Sequence, residues 1–396
     1  MKEKLVEDRA ALQALIELGK TGDQSVTYGV ITTLVNLCNA YEKQEIIPEM
    51  VELAKFAKQH IPEEHELDDI DFISKRILIL GQEGVATTLI TLSKTESDNS
   101  KELIARVFNA LCGEQELRGS IVQQGAVKAL INMALKGTEK GKRHASQALA
   151  RIAITTNPEV AFPGQRSLEV IRPLLSSLHT ECKALENFEA LMGLCNIAQM
   201  NETARQRILK EGGFSKIETY VYEDHVMLCR AATQCITNMA MSPDVVLIYE
   251  GENDKLKMLT ALCVDEDVET CKAASGAIAI LTSASSKCCE KVFQLKSWLD
   301  AFHNLLANAA GDIQYRGVCI IKNMMESTKE VAEKVIETDI LEILMALTKL
   351  TEKEKGEIVK VAEGALKSAE KWGVIKKPEA LNAHTASTSE EIEEHD

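Results

Sequence analysis

Only a few segments of this 396-residue sequence contain residue types that could carry out chemistry at a usable spacing. The segment GTEKGKR, residues 137–143, has the glycines and the lysine of a phosphate-binding loop. Its Gly-to-Gly-Lys spacing is one residue short, and no Ser or Thr follows Lys142. The segment is also predicted to lie between two helices, whereas a phosphate loop follows a strand. We therefore expect no nucleotide site and no ATPase activity belonging to this chain.

A second group of residues that could carry out chemistry contains two histidines and three glutamates. His60 and His65 stand beside Glu63, Glu64 and Glu66. Their spacing matches no known zinc pattern, and an exposed loop is the better explanation for such a polar segment. We expect neither a metal nor any other cofactor.

The sequence contains eleven cysteines, of which Cys288 and Cys289 are adjacent. No C-x-x-C pair occurs, and neighbouring residues on a helix point about 100° apart, which argues against a redox pair. The first ten residues, MKEKLVEDRA, are too charged for a signal peptide, so a reducing cytoplasm is expected. There the thiols would act as small buried hydrophobic groups. With no nucleophile-elbow motif or catalytic triad pattern either, we predict that the chain is not an enzyme.

The composition indicates a helical protein and argues against two classes of partner. Hydrophobic residues make up 45% of the chain, but aromatic residues only 4%, and Ala, Leu, Lys and Glu are abundant. A formal net charge of −15 argues against nucleic acid as a partner, because phosphate binding needs a basic surface. No apolar run is long and uninterrupted enough for a transmembrane span, so no membrane partner is expected.

The helical segments repeat along the chain. Comparable apolar segments include RVFNALCG, MGLCNIAQ and CIIKNMME, each with a small or polar residue at a matching position. These matching positions are 42, 45, 42, 42 and 43 residues apart and are occupied by Asn109, Arg151, Asn196, Asn238, Ile280 and Asn323. An earlier copy carries Asn36, and a later one is EGALKSAEKWG. A helical period near 42 is typical of armadillo and HEAT repeats.

Each of these marker helices is preceded by another amphipathic helix, for example VKALINMAL at 127–135 and VIRPLLSSL at 170–178. Pro158 and Pro243 follow marker helices and suit the first turn of a new helix. Gly125 and the pair Gly212–Gly213 are expected to open repeat units. Because one repeat cannot bury its own apolar face, we predict an all-α, right-handed armadillo/HEAT-like α-solenoid superhelix.

Four stretches resemble a narrower family, the UCS domain of animal myosin chaperones: EIIPEMVELAKFAKQHIPEEHELDD, NSKELIARVFNALC, NFEALMGLCNIA and CRAATQCITNMA. The resemblance covers roughly residues 1–375 and includes an insertion that is not part of the repeats. It implies a myosin chaperone or co-chaperone in the cytoplasm, sarcomeric in muscle, whose client is the myosin motor domain. The client would lie against the groove of the solenoid while it folds or assembles into thick filaments.

The same resemblance implies a link to the ninety-kilodalton heat-shock chaperone. Full-length animal members recruit that chaperone through an N-terminal tetratricopeptide module. These 396 residues contain no such 34-residue repeat. The sequence leaves open whether the chain is a fragment, a truncated isoform or an incomplete gene model.

Two regions interrupt the repeats and define the expected organisation. Residues 1–41 are read as N-terminal armadillo-like helices, and residues 42–76 as an acidic insertion. Within the insertion we expect a helix from Pro48 to about His60, an exposed acidic loop, and a helix from about Asp69. This loop is either a partner-facing element or a solvated connection. Residues 77–375 are read as armadillo repeats of the UCS domain, and residues 376–396 as a disordered acidic tail.

The marker residues are the best candidates for a partner-binding surface. In an armadillo unit the third helix lines the groove, and helical spacing places Asn196 on one face with its polar and small neighbours. Amides spaced along this face either pair with an extended partner segment or bond to neighbouring helices and hold the stack together. The predicted groove residues are Asn36, Asn109, Arg151, Glu189, Met192, Asn196, Gln199, Gln234, Asn238, Met241 and Asn323.

Another class of binding protein remains an alternative, namely a catenin-like armadillo scaffold that binds an extended peptide of another partner. Importin-like adaptors are disfavoured, because their grooves use Trp-Asn pairs. Here the two tryptophans, Trp298 and Trp372, do not adjoin a marker asparagine.

Overall fold

The computed structural model describes residues 1–41, 52–53, 55–57, 66–351 and 355–375, and these residues contain helices and no strand. Helices are numbered here in chain order, and they fall into units of three. The first helices are short: α1 (Lys2–Glu7), α4 (Ile70–Gln82), α7 (Gln115–Gln123), α10 (Pro158–Ala161), α14 (Glu202–Lys210), α17 (Pro243–Glu250), α20 (Ser286–Phe293) and α23 (Lys329–Ile336).

Second helices follow them directly: α2 (Arg9–Lys20), α5 (Val85–Leu92), α8 (Ala126–Lys136), α11 (Arg166–Glu169) with α12 (Ile171–Ser176), α15 (Gly213–Thr219), α18 (Lys255–Leu262), α21 (Trp298–Leu306) and α24 (Ile340–Leu347). Third helices are the longest: α3 (Gln24–Leu37), α6 (Asp98–Gly113), α9 (Glu139–Thr155), α13 (Ala184–Met200), α16 (Val226–Met239), α19 (Val268–Ala284), α22 (Gly311–Ser327) and α25 (Gly356–Trp372). Two 3₁₀ turns, Glu66–Asp68 and Tyr220–Tyr222, complete the helical segments.

Each third helix packs against the third helix of the next unit, from α3 against α6 through to α22 against α25. The buried apolar side chains form one continuous core that extends from Val6 to Ala369. The described part of the chain is thus one stack of eight three-helix units, and the predicted armadillo-like α-solenoid is confirmed. The predicted marker helices are the third helices of this stack.

Residue type explains where the helices begin. Thr138 and Asp267 cap α9 and α19, each accepting a hydrogen bond from a main-chain N–H of the first turn. Pro158 and Pro243 occupy the first turns of α10 and α17, as predicted. The helix expected from about Asp69 is confirmed as α4, with Asp69 as its cap. This helix continues across the predicted boundary at residues 76 and 77.

The structure corrects the expected role of the glycines. Gly125 and Gly212 do not open repeat units but join the first helix of a unit to the second. Both have φ values in the left-handed region, 85° and 69°, which favours glycine because it lacks a Cβ atom. They therefore mark a turn inside the repeat.

The helix predicted at 170–178 is present as α12 (Ile171–Ser176). It is preceded by the short helix α11, which ends at Glu169 and was not predicted. Pro173 lacks the N–H that would donate to the carbonyl of Glu169, so α11 does not continue unbroken into α12.

Several predictions fall on residues outside the described ranges. These are almost all of the helix from Pro48 to about His60, the acidic loop with His60 and His65, and the tail from Pro378. Among the residues that are described, no helix combines the length and apolar character needed to cross a bilayer.

Candidate functional site

The third helices present a layer of polar side chains, and the marker asparagines lie in the seams between them. On α13, the Nδ2 atom of Asn196 donates hydrogen bonds to the main-chain carbonyl oxygens of Ala153 and Ile154 on α9, at 3.0 and 3.2 Å. The Asn196 side chain is half-buried. It therefore lies against the preceding third helix, which is the contact expected from the second of the two alternatives, that the amides hold the stack together.

The same arrangement recurs two more times. Asn238 on α16 donates to the carbonyl of Cys195 at 2.9 Å, and Asn323 on α22 donates to the carbonyl of Ala279 at 3.0 Å. In all three cases the acceptor lies 43 or 44 residues earlier, which is one repeat. The asparagine donors thus join consecutive units, and within the described residues no hydrogen bond reaches their side-chain oxygens.

Two other markers, Asn109 and Arg151, belong to a charged cluster on three successive third helices. Arg151 donates through Nε to Glu189 at 2.9 Å and through a terminal nitrogen to the carbonyl of Asn109 at 2.9 Å. Gln147 donates to the other oxygen of Glu189 at 2.8 Å. It also accepts from the Asn109 amide at 2.8 Å. The structure thus brings together three predicted site residues, Asn109, Arg151 and Glu189. Gln147, which joins them, was not predicted from the sequence.

The remaining predicted residues are not joined in this way. Met192 and Gln234 are half-buried on α13 and α16. Gln199, Met241 and Asn36 are exposed. Asn36 is on α3, in the unit before the one that carries Asn109. Apart from Met241, which follows the end of α16, these side chains belong to third helices.

Ion pairs between successive third helices were also not predicted from the sequence. Arg143 on α9 donates to Glu186 on α13, with a second bond at 2.9 Å, and Lys272 on α19 pairs with Asp312 on α22. Arg143 and Glu186 are 43 residues apart. Opposite charges separated by about one repeat length are the signal that could have revealed these pairs.

Local electrostatics follow from these contacts. The hydrogen bond from Arg230 holds the pKa of the Asp267 carboxyl down at about 2, against an ordinary value of 3.8. The hydrogen bond from Lys272 likewise lowers the pKa of Asp312. Burial, together with the nearby positive charge of Arg106, lowers the pKa of His144. Nitrogen Nδ1 of His144 lies 3.3 Å from the Asn109 amide nitrogen.

The segments with chemical residue types have structural explanations. Residues 137–143 form the turn into α9, where the Thr138 hydroxyl accepts from the main-chain N–H of Gly141 at 3.0 Å. In the described ranges, no three His, Cys, Asp or Glu side chains are grouped so that they could hold a metal ion. All eleven cysteines lie in those ranges as free thiols, and Cys288 and Cys289 are both buried. Their prediction as buried hydrophobic groups is confirmed for nine of the eleven, Cys182 and Cys319 being half-buried.

The fold and this layer define the class: an armadillo-type solenoid that presents a long, polar, partly exposed surface made of third helices. Protein unc-45 homolog B of Xenopus laevis is 44% identical over 384 residues, which is 95% of this chain and 41% of the relative. The solved structure of UNC-45 from Drosophila melanogaster is 60% identical and has a TM-score of 0.87, covering 94% of this chain and 48% of that one.

A third match is the myosin chaperone UNC-45 from C. elegans, solved in complex with a Hsp90 peptide. It is 30% identical with a TM-score of 0.83, covering 93% of this chain and 40% of that one. No family model matches the sequence. The chain spans less than half the length of these relatives. Because the match extends along almost the whole chain, the resemblance is confirmed, and the chain belongs to the UCS-domain family, in its animal type.

Proposed function

We propose that this chain is a myosin-directed chaperone or co-chaperone domain, which binds the myosin motor domain along the third-helix layer. The observation that carries the proposal is the similarity along 94% of the chain to UNC-45 from Drosophila melanogaster, at 60% identity. The C. elegans relative, described as a myosin chaperone, shares the fold at a TM-score of 0.83. The proposed client is a motor domain that is folding or entering thick filaments.

The mechanism follows from an extended surface of many weak contacts. Half-buried Met192 and Gln234 and exposed Gln199 offer flexible apolar and amide groups along α13 and α16, and exposed Met241 follows the end of α16. Such a surface holds a partly folded segment and keeps it from aggregating until it buries its own apolar side chains. In this proposal the chain acts by binding, and any ATP-driven step belongs to a partner such as the ninety-kilodalton heat-shock chaperone. Its place of action is the cytoplasm.

The decisive experiment is aggregation of a heat-stressed myosin motor fragment, followed by light scattering without ATP. We expect suppression near equimolar chain, and no comparable protection of an unrelated heat-labile enzyme. Equal protection of both clients would contradict a myosin-directed function. A pull-down from muscle extract analysed by mass spectrometry separates myosin from the peptide partners of a catenin-like scaffold.

The location of the contact is tested with surface variants. Gln199→Glu combined with Met241→Glu adds negative charge to an exposed position on α13 and to one just beyond the end of α16, and we expect it to weaken motor binding. Leu247→Glu is the matched control, since Leu247 is exposed on α17, a first helix. If the control weakens binding as much as the double variant, the third-helix layer is not the contact surface.

A further inference from the structure

An exposed apolar strip follows one edge of the stack, where second helices turn into third helices. Six large apolar side chains of this edge are exposed by 38–56%: Leu185, Tyr222, Val226, Met227, Val264 and Val268. They form three pairs at equivalent repeat positions, because Leu185 and Met227, Tyr222 and Val264, and Val226 and Val268 are each 42 residues apart. We refer to these six residues as the apolar edge.

The equivalent turns of two consecutive units lie side by side. Arg230, one turn after Val226 on α16, donates to Asp267, the residue that precedes Val268, with one bond at 2.9 Å. The third helices α16 and α19 also pack against each other. The starts of α16 and α19, which carry Val226 and Val268, are therefore neighbours on one side of the stack. Contiguous exposed apolar surface rimmed by polar groups is typical of interaction sites.

The repeat itself does not require these residues. In the preceding unit the same turn carries Thr138, Glu139 and Lys140, and in the following unit it carries Ala310 and Gly311. The exposed valines are neither in the buried core nor among the side chains packed against it, so the stack does not depend on them. The apolar edge is thus confined to three consecutive units and is best explained by a partner.

Charge indicates what kind of partner fits. The two valine turns read YEDHV at 222–226 and VDEDV at 264–268, so each pair of apolar residues flanks acidic residues. Glu223, Asp224 and Glu266 are exposed and make no ion pair with any residue in the described ranges. A segment that covered the apolar edge would place its own neighbouring side chains against these carboxylates. Lysine or arginine at those positions would be attracted, and acids would be repelled.

We propose that the apolar edge is a docking surface for a basic amphipathic segment of a partner protein, which inserts apolar side chains between the acidic turns. This surface lies at the edge of the third-helix layer, and the proposal does not depend on the identity of the client. Apolar side chains of the segment pack on Val226 and Val268, while its Lys or Arg side chains pair with Glu223, Asp224 and Glu266.

The test uses a fluorescein-labelled peptide of about 18 residues, or five helical turns, with leucines at helical spacing and lysines elsewhere. Fluorescence anisotropy at low salt measures its binding to the full chain. Two matched peptides replace the leucines by serines or the lysines by glutamates. We expect the leucine–lysine peptide to bind about ten-fold more tightly than either control, because both apolar burial and charge are required.

Surface variants then locate the binding site. Val226→Ser with Val268→Ser removes apolar area without changing net charge, and we expect about a ten-fold weaker affinity. The matched control is Val160→Ser with Leu247→Ser, two side chains exposed by 64% and 61% on other helices, which leaves the affinity unchanged. Melting temperatures confirm that every variant is folded.

Two results would overturn the proposal. One is an unchanged affinity of the Val226→Ser, Val268→Ser variant, which would show that the peptide binds the acidic surface at random. The other is equal binding of the serine–lysine peptide, which would show that apolar contact contributes nothing.

Discussion

The side-chain amide nitrogen of Asn196 lies 3.0 Å from the main-chain carbonyl oxygen of Ala153, one repeat earlier in the chain. The bond connects α13 to α9. Asn238 and Asn323 make the corresponding bonds to the third helix of the preceding unit, α13 and α19 respectively. Ala153 lies in the last turn of α9, where main-chain carbonyls lack an intrahelical donor, so the Asn196 amide satisfies one of them. Cys195 and Ala279 lie inside their helices, where the amide uses the second lone pair of a carbonyl. An apolar-looking third helix thus carries an amide because the amide fixes the register of one unit on the next.

This contact predicts a loss of stability when the amides are removed. Asn196→Ala with Asn238→Ala should lower the free energy of unfolding by about 0.5–1.5 kcal/mol for each residue. Urea unfolding followed by circular dichroism measures the change. Gln199→Ala, at an exposed position on the same helix, is the control and should have no measurable effect. Weaker binding of the motor fragment at unchanged stability would show instead that these amides serve the client.

The charged cluster around Glu189 makes a second prediction. Arg151→Met leaves the buried Glu189 carboxylate without its cationic partner and should destabilise the chain by about 3–5 kcal/mol. Adding Glu189→Gln should restore part of this loss, because the neutral amide no longer needs a positive charge. A double-mutant cycle on unfolding free energies gives the coupling. Additive effects of the two changes would contradict a direct interaction.

Arg76 anchors the N-terminal unit, and its removal should release that unit. The Arg76 side chain is fully buried and donates to the carbonyls of Leu37 at 2.9 Å and Leu67 at 2.7 Å, and it pairs with Glu3. Arg76→Met leaves these acceptors and the Glu3 carboxylate uncompensated. We expect faster amide hydrogen exchange in α1 to α3 than in the units beyond α6. The control is Lys75→Met, which removes a neighbouring cation. If amide exchange in α1 to α3 is no faster in Arg76→Met than in this control, Arg76 does not anchor the N-terminal unit.

The Arg230–Asp267 pair predicts a pH dependence at the acidic end. The folded-state pKa of Asp267, about 2, lies below its ordinary value of 3.8. Its contribution to stability is therefore present above pH 3.8 and is lost as the pH falls toward 2. Arg230→Met removes the cause of the shift, so stability should fall less steeply over this window. Thermal melts at several pH values measure both slopes, and identical slopes would count against the pair.

Thiol reactivity offers a last check. Burial raises the pKa of Cys38 and Cys112 to about 12 and that of Cys195 to about 11, so their thiolates are scarce at neutral pH. A thiol reagent at pH 8 should modify the half-buried Cys182 and Cys319 first, and all eleven thiols only after unfolding. Cys182→Ser with Cys319→Ser should remove the fast phase. A fast phase that persisted in this variant would mean that the other thiols are accessible.

The sequence by itself determined the repeat, because a period near 42 in apolar and small residues follows directly from stacking equal helical units. It also determined the helix start at Asp69, the proline starts and the burial of most cysteines, which depend on local geometry and helical periodicity. Family membership followed from the same residues. The short helix α11 was not predicted, and the position of Gly125 inside a unit was misread, because glycine lies beside helix ends both within and between units.

Only the tertiary structure decided where the marker side chains go. A helical wheel shows that Asn196 lies away from the core stripe, but it cannot distinguish solvent from the flank of the preceding third helix. Donors such as Asn196 and Arg151 find their acceptors 42 or 43 residues away. Stacking of successive units brings these donors and acceptors together, and rules that use only neighbouring residues in the sequence cannot predict such contacts. The apolar edge has the same origin, because it becomes continuous only when successive turns are placed side by side.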